Sequence, residues 1–133
     1  MMDECLYIFD VDGVLLGKEK EKDPVQGMLL LKERAKKGKI VVITGRPLKE
    51  RRRIMDELKS RGLSPGDVYQ FIFRTEDEDP RSWKLRTLRN LAEEEHICEV
   101  HDDDELLLWS LKKDPLFKGT RLFVYVEGNP SPF

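Results

Sequence analysis

The sequence predicts an α/β fold with a five-stranded, mainly parallel sheet that is covered by helices on both faces. Short apolar runs alternate along the chain with segments that have helical character. Strands that alternate with helices of about 10–15 residues are typical of βαβ crossovers and therefore of a parallel sheet. The runs are also continuous in Val, Ile, Leu and Phe, as expected for strands that are buried on both faces.

Two strands and two helices are predicted in the first half of the chain. Both strands are apolar runs, and the first helix has apolar residues at helical spacing. Gly38 and Gly62 follow the two helices, and glycine commonly stands just past a helix end. Pro47 lies in the first turn of the second helix, where proline is favoured. In chain order these elements are strand 5–9, helix 25–37, strand 39–43 and helix 47–61.

The second half continues the alternation. Its first helix has apolar positions at Trp83, Leu85, Leu88 and Leu91. We find no internal repeat and no linker between domains, so residues 1–133 are expected to form a single domain. The predicted elements are strand 69–73, helix 80–95, strand 97–100, helix 105–112 and strand 121–126, followed by a turn-rich tail at 128–133.

The composition excludes several classes of protein. The 133 residues include 24 Lys and Arg and 26 Asp and Glu, and the net charge of −2 does not favour general nucleic-acid binding. No apolar run approaches the roughly 20 residues that span a bilayer. The first five residues have no basic segment and no cleavable apolar stretch, so secretion is not expected. We therefore expect a cytoplasmic protein that does not associate with membranes.

The two cysteines, Cys5 and Cys98, each lie in an apolar run. We interpret them as buried, reduced thiols of a cytosolic protein. A disulfide or a metal site is the alternative. There is no CxxC motif, and only His96 and His101 could join a cysteine-based zinc site.

Polar side chains follow the predicted strands where each strand ends. In a parallel sheet these ends share one edge, which is where ligands bind in open α/β folds. Taken singly, Asp and Thr at such places are ordinary turn and helix-cap residues. Together they would place several carboxylates side by side, which is costly unless a cation joins them, and oxygen ligands favour Mg²⁺. The residues concerned are Asp10, Asp12, Thr44, Asp102 and Asp103, with Lys84 just inside the helix that follows the third strand.

The order of these residues resembles the four motifs of the haloacid dehalogenase (HAD) superfamily of phosphatases. The first motif is Phe9-Asp10-Val11-Asp12-Gly13-Val14. Thr44 in Val-Ile-Thr-Gly-Arg is the second, Lys84 is the third, and Asp102-Asp103-Asp104 contains the fourth. The resemblance implies a Rossmann-like three-layer sandwich without a cap domain, and an enzyme that hydrolyses phosphate monoesters.

The resemblance also implies roles for the four catalytic residues. Asp10 would attack the phosphorus atom and form an aspartyl-phosphate, which divides hydrolysis into two easier steps. Asp12 would protonate the leaving oxygen and then activate water. Thr44 and Lys84 would stabilise the transferring group electrostatically. Arg81 and Arg86 are the alternatives to Lys84 as the positive charge.

A Mg²⁺ ion would be held, on the same resemblance, by Asp10, by the carbonyl of Asp12 and by an aspartate of the fourth motif. Asp102 is our first choice for that aspartate and Asp103 the second, through a metal-bound water. Asp104 is expected to cap the following helix, and His101 to be a packed or hydrogen-bonded neighbour rather than a catalyst. The residues predicted to contact the substrate are Gly13, Gly45, Arg46 and Arg81.

The spacing of the motifs leaves no room for a cap domain. Between Asp10 and Thr44 only residues 14–24 remain once a helix and a strand are placed, which makes a charged flap at best. The segment 74–84 and the Asp102–Asp103 pair are similar to the phosphatase half of polynucleotide kinase–phosphatases. This likeness suggests nucleic-acid 3′-phosphate ends, or another macromolecular substrate that fits an open site. A dimer could also cover the site.

Two other functions remain open at this point. The chain could be a phosphate- or nucleic-acid-binding module that has the same fold but no activity, with Arg46 and residues 51–53 as its basic contacts. The other reading of residues 51–53 is an exposed helix face whose arginines pair with nearby acids. A receiver domain that is phosphorylated on aspartate fits less well, because Asp12-Gly13 directly after the nucleophile is not its pattern.

Overall fold

The structure, a computed structural model, describes residues 4–18, 22–75 and 77–133. Positions 19–21 of the predicted flap and position 76 of the acidic loop after the third strand lie outside the described residues. The strands are β1 (Leu6–Phe9), β2 (Lys39–Pro47), β3 (Gln70–Arg74), β4 (Ile97–Asp102), β5 (Arg121–Val126) and β6 (Asn129–Pro132). The α-helices are α1 (Gln26–Ala35), α2 (Arg51–Ser60), α3 (Pro80–Glu94) and α4 (Glu105–Lys112).

The strands form one sheet in the order β3-β2-β1-β4-β5-β6. Every pairing among β1 to β5 is parallel, and only β6 runs antiparallel to its neighbour. The predicted α/β class with a mainly parallel sheet is therefore confirmed. The central positions belong to β1 and β4, so the sheet brings the ends of these two strands together.

The predicted strand count of five is wrong, because residues of the tail add a sixth strand. Glu127 and Gly128 both have positive φ, 51° and 80°. Two such residues in succession make the tight turn that joins antiparallel strands. The new strand contains Pro130 and Pro132 and lies at the edge of the sheet, where a missing N–H is tolerated.

Each face of the sheet packs against two helices. Successive strand residues point to opposite faces, so Tyr7 and Phe9 join one apolar core and Leu6 and Ile8 join the other. The first core includes residues of α1 and α2, and the second includes residues of α3 and α4. β1 is buried along its whole length, which fixes the backbone that leads to Asp10.

β2 is longer than predicted and continues past Ile43 to Pro47. Its pairing with β3 is interrupted between Thr44 and Pro47. A short 3-10 turn at Leu48–Glu50 then precedes α2, so this helix begins later than its proline indicated. The irregular stretch carries Gly45 and Arg46, which are both candidate site residues.

The prediction of reduced cysteines is wrong: Cys5 and Cys98 form a disulfide. They are 93 positions apart in sequence, but Cys5 directly precedes β1 and Cys98 lies in the neighbouring strand β4. The register shifts between Leu6 and Tyr7, so that Cys98 is the extra residue of β4 at this point. The two Cα atoms are 5.5 Å apart, within the usual range for a disulfide.

None of the helices within the described ranges is both long enough and apolar enough to cross a membrane.

Candidate active site

Three carboxylates meet where β1 and β4 end. Asp10 follows β1, Asp102 is the last residue of β4, and Asp103 comes next. One carboxylate oxygen from each lies within 4.8 Å of the others. Asp10 and Asp102 are buried and Asp103 is partly buried. The structure thus brings these three side chains together at one edge of the sheet.

A cavity of about 720 Å³ opens beside these carboxylates. Eight of the predicted site residues line it, namely Asp10, Asp12, Gly45, Arg46, Arg81, Lys84, Asp102 and Asp103. Gly13 and Thr44 are buried and are not among the lining residues. Every charged candidate residue therefore lines the cavity, whereas Gly13 and Thr44 are buried outside its lining.

Lys84 is the cation that α3 places between the carboxylates. The helix begins at Pro80, and the Asp79 side chain caps it by accepting a hydrogen bond from the Ser82 N–H at 3.0 Å. The Lys84 Nζ donates to Asp10 Oδ1 at 2.9 Å and to Asp102 Oδ2 at 3.0 Å. Of the two alternatives, Arg81 lines the cavity but pairs with Asp104, and Arg86 pairs with Glu78.

Additional positive charge near Asp10 and Asp102 would stabilise the ionised forms of these two buried carboxylates. Burial raises the pKa of Asp10 well above its ordinary value, and the charge of Asp102 raises it further against the effect of Lys84. Burial alone would lower the pKa of Lys84, but the Asp10 and Asp102 carboxylates outweigh it and raise that pKa. A divalent cation would relieve the repulsion between the two carboxylates, and the donor set of oxygens alone suits Mg²⁺.

Asp12 is held by an arginine from β2. Arg46 donates to both carboxylate oxygens of Asp12, through Nε at 2.9 Å and a terminal nitrogen at 2.6 Å. The hydrogen bond to Asp12 is also the main reason why the pKa of Arg46 is raised. Arg46 further contacts Glu50 at 3.2 Å. Both carboxylate oxygens of Asp12 are therefore occupied by the Arg46 guanidinium.

Gly13 shapes the turn between Asp12 and the flap. Its φ is +82°, and a Cβ placed there would lie 2.3 Å from Oδ2 of Asp103. Only glycine combines this conformation with so close an approach. Gly13 therefore fixes the distance between the first and fourth motifs and is a positioning residue rather than part of the cavity lining.

Lys18 is a site residue that the sequence analysis missed. Its Nζ lies 2.5 Å from Oδ2 of Asp103, and it lines the cavity. The pairing raises the pKa of Lys18. The signal in the sequence was a lysine in the predicted charged flap, eight positions after Asp10, but lysine is too common on surfaces to be singled out.

Thr44 organises the loop after β2. The side chain is 1% exposed, and its Oγ1 accepts a hydrogen bond from the Arg46 N–H at 3.1 Å. Gly45 lies next to it, and a Cβ there would come within 2.8 Å of the Pro80 side chain. The loop therefore packs closely against the start of α3, the helix that carries Lys84.

The structure supports the two structural roles predicted for the fourth motif. Asp104 is the N-cap of α4 and accepts hydrogen bonds from the N–H groups of Leu106 and Leu107. His101 is fully buried and stacks between the rings of Phe9 and Phe123, with centroids 4.1 and 4.7 Å away.

His101 also belongs to a buried polar network on this face of the sheet. Its Nε2 lies 2.8 Å from the Glu99 carboxylate, and its Nδ1 lies 2.8 Å from the Tyr125 hydroxyl. A carboxylate can only accept, so Nε2 donates to Glu99 and Nδ1 accepts from Tyr125 in a neutral ring. Burial accordingly lowers the pKa of His101.

No protein-family model matches the chain, and no curated protein matches it.

Proposed function

We propose that the protein is a Mg²⁺-dependent phosphatase with a HAD-type core, which hydrolyses phosphate monoesters through an aspartyl-phosphate. The observation that carries the proposal is the buried group of Asp10, Lys84 and Asp102, in which one lysine bridges two carboxylates at 2.9 and 3.0 Å. The α/β fold with its helix-covered, mostly parallel sheet is compatible with a Rossmann-like sandwich.

Each residue has a distinct task in this proposal. Asp10 attacks phosphorus, and the alcohol oxygen leaves with a proton from Asp12. Asp12 then takes a proton from the water that cleaves the aspartyl-phosphate, so one side chain serves as acid and then as base. Lys84 keeps Asp10 oriented and balances negative charge on the transferring group. Thr44 holds the loop that carries Arg46, and Arg46 lines the cavity in which the phosphate would bind.

The oxygen donors of Asp10, Asp102 and Asp103 would hold Mg²⁺, and the HAD resemblance adds the Asp12 carbonyl as a ligand. When bound, it would offset the charge repulsion between the anionic nucleophile and an anionic substrate. Asp103 is engaged with Lys18, so Lys18 would have to share this carboxylate or release it.

The substrate class that we propose is a phosphate at a macromolecular end, such as a nucleic-acid 3′-phosphate. Within the described residues, the chain between Asp10 and Thr44 forms a turn, α1 and most of β2. The chain from there to Lys84 forms α2, β3 and the first turns of α3 with short 3-10 turns. The described residues between Asp10 and Lys84 contain no inserted cap domain, which supports a site open to large substrates.

The activity test is hydrolysis of an aryl phosphate with and without Mg²⁺. We expect Asp10→Asn to abolish Mg²⁺-dependent turnover, because the amide is not a competent nucleophile. Asp67→Asn is the matched control, since Asp67 also pairs with a lysine, Lys32 at 3.3 Å, but does not line the cavity. Equal rates for Asp10→Asn and wild type would rule out the mechanism.

The substrate test compares sugar phosphates, nucleotides and 3′-phosphorylated oligonucleotides at matched concentrations. A higher kcat/KM for the oligonucleotides is the expected result. A preference for a small sugar phosphate would contradict the macromolecular assignment and leave the phosphatase assignment intact.

The bidentate pair between Arg46 and Asp12 is the observation that favours the second candidate, a phosphate- or nucleic-acid-binding module without turnover. With both carboxylate oxygens engaged by Arg46, Asp12 is not free to contact a leaving oxygen. Under the phosphatase proposal, the bound phosphate draws Arg46 away and frees Asp12. Binding of inorganic phosphate without turnover of any ester would support the module instead.

A further inference from the structure

A second group of side chains of types that can hold a metal ion lies at the opposite ends of β1 and β4. It consists of Cys5, His96 and Cys98. One ligand atom from each residue, two sulfurs and an imidazole nitrogen, lies within 4.8 Å of the others. Because Asp10 and Asp102 stand at the far ends of the same two strands, this group is separate from the candidate active site.

The backbone that carries the three side chains is held in place by hydrogen bonds. The Leu6 N–H donates to the His96 carbonyl at 2.9 Å, and the Lys39 N–H donates to the Cys5 carbonyl at 2.9 Å. Three adjacent strands are therefore tied together at this point. The convergence of the side chains follows from the sheet itself and does not depend only on the disulfide.

The surroundings are suited to a cation that arrives from solvent. His96 is exposed, while Cys5 and Cys98 are partly buried. A cavity of about 480 Å³ next to the group is lined by His96, by one lysine and by four glutamates, namely Glu4, Glu93, Glu94 and Glu95. Lys39, the lysine, lies 3.7 Å from Glu4, so the lining keeps an excess of negative charge.

We propose that Cys5, Cys98 and His96 form a Zn²⁺ site when the disulfide is reduced. Two thiolates and one imidazole match the ligand types and number of a zinc centre with one open position. Oxidation and metal binding would then exclude each other, because the same two sulfur atoms either bond to one another or bind the ion.

The redox step needs an external dithiol. The dithiol gives two electrons and two protons, the bond between the two cysteine sulfurs breaks, and the dithiol is itself oxidised to a disulfide. Zn²⁺ then displaces one proton from each cysteine thiol. The imidazole of His96 binds in its neutral form through the nitrogen that faces the sulfurs.

The test uses the full chain, reduced with a phosphine that is then removed without air. Co²⁺ is the probe, because cobalt bound to thiolates gives a charge-transfer absorption that carboxylate sites do not give. We expect this band in the reduced protein, its loss on adding Zn²⁺, and no band in the oxidised protein or in Cys98→Ser. Absence of the band in the reduced wild type would overturn the proposal.

His96→Gln distinguishes a three-residue site from two thiols that bind metal without help. His96 is exposed, so the variant is expected to fold. We expect its Zn²⁺ affinity, measured by competition with Co²⁺, to fall by at least the roughly 10–100-fold that follows loss of a supporting residue around a metal. An unchanged Zn²⁺ affinity would show that His96 is not a ligand and would contradict the three-residue site. Asp102→Asn should leave the Co²⁺ band unaltered, which separates this site from the proposed Mg²⁺ site.

Discussion

At the scale of single residues, Gly13 links the carboxylates of the first and fourth motifs. Its φ of +82° and the 2.3 Å that would separate an added Cβ from Oδ2 of Asp103 are two independent reasons for glycine. Gly62 provides a natural comparison, because its φ is +102° but no atom of the described residues lies within 4 Å of a Cβ placed there. A side chain at Gly62 therefore carries only the cost of the backbone conformation. A side chain at Gly13 carries that cost and also the cost of displacing Asp103.

We expect Gly13→Ala to be more destabilising than Gly62→Ala. Both variants carry the backbone strain of about 1–3 kcal/mol, but only Gly13→Ala also pushes Asp103 away from Lys18 and the other carboxylates. Urea unfolding measures the difference in stability, and the proposed Mg²⁺-dependent phosphatase activity should be lost in Gly13→Ala alone. Equal losses in the two variants would show that contact with Asp103 is unimportant.

Glu99 is the residue whose ionisation should make stability depend on acid pH. Burial would raise its pKa, but hydrogen bonds from His101 and Arg34 outweigh burial and lower the pKa from 4.5 to about 2. The ionised form therefore favours the folded state. Its stabilisation is complete above pH 4.5 and is lost as the pH falls towards 2.

The corresponding prediction concerns the slope of unfolding free energy against pH. Wild type should lose stability more steeply than Glu99→Gln between pH 4.5 and 2, because the amide does not titrate. At neutral pH the variant should be the less stable protein, since Arg34 then lacks its buried partner. Parallel slopes in the two proteins would contradict this role for Glu99.

At the scale of elements, α4 depends on the aspartate that precedes it. Asp104 accepts hydrogen bonds from the N–H groups of Leu106 and Leu107, and it also pairs with Arg81 at 2.7 Å. The same helix packs Leu107, Leu108 and Leu111 into the core, and it lies against α3 and β5. The cap thus connects the rim of the cavity with the packing beneath it.

Asp104→Ala should lower the free energy of unfolding by about 1 kcal/mol, the typical cost of losing an N-cap. Asp104→Asn should cost much less, because asparagine caps helices as well as aspartate and only the pair with Arg81 is lost. Urea titrations of both variants give these values. If asparagine were as harmful as alanine, the ion pair rather than the cap would be the stabilising contact.

The elements also show what local sequence signals could and could not predict. The run before Asp10 predicts β1 well because both of its faces are buried. The edge strand β6 was missed because its two prolines argue against a strand and only pairing with β5 makes them acceptable. The extension of β2 was missed because the pairing of Pro47 with Arg74 depends on the neighbouring strand.

At the scale of the whole molecule, the rule that parallel strands end at one edge predicts the neighbours in the site but not their pairing. It brings Asp10 and Asp102 together, yet it does not indicate that Arg46 engages Asp12 or that Lys18 engages Asp103. Those contacts depend on side-chain reach and on loop geometry. The disulfide was missed for a similar reason, since strand order was needed to show that Cys5 and Cys98 are neighbours.

Reduction of the disulfide should destabilise the protein when metal is kept out with a chelator. The bond closes a loop of 93 positions, and disulfides typically contribute about 2–4 kcal/mol by restricting the unfolded chain. We expect a lower Tm in the presence of a reductant. A variant with serine at both cysteine positions should melt like the reduced protein and should not respond to the reductant. No shift in the wild-type Tm would contradict the expectation.

The disulfide closes residues 5–98 into a covalent ring, and this ring determines whether the fragments separate after a single proteolytic cut. Asp10, Thr44 and Lys84 lie inside the ring closed by Cys5 and Cys98, whereas Asp102 lies just beyond it. A protease that cleaves once within the ring, for example at the exposed Arg61, leaves two fragments that still migrate as one species until a reductant is added. Nicked protein would therefore keep Asp10, Lys84 and Asp102 in one covalently connected molecule.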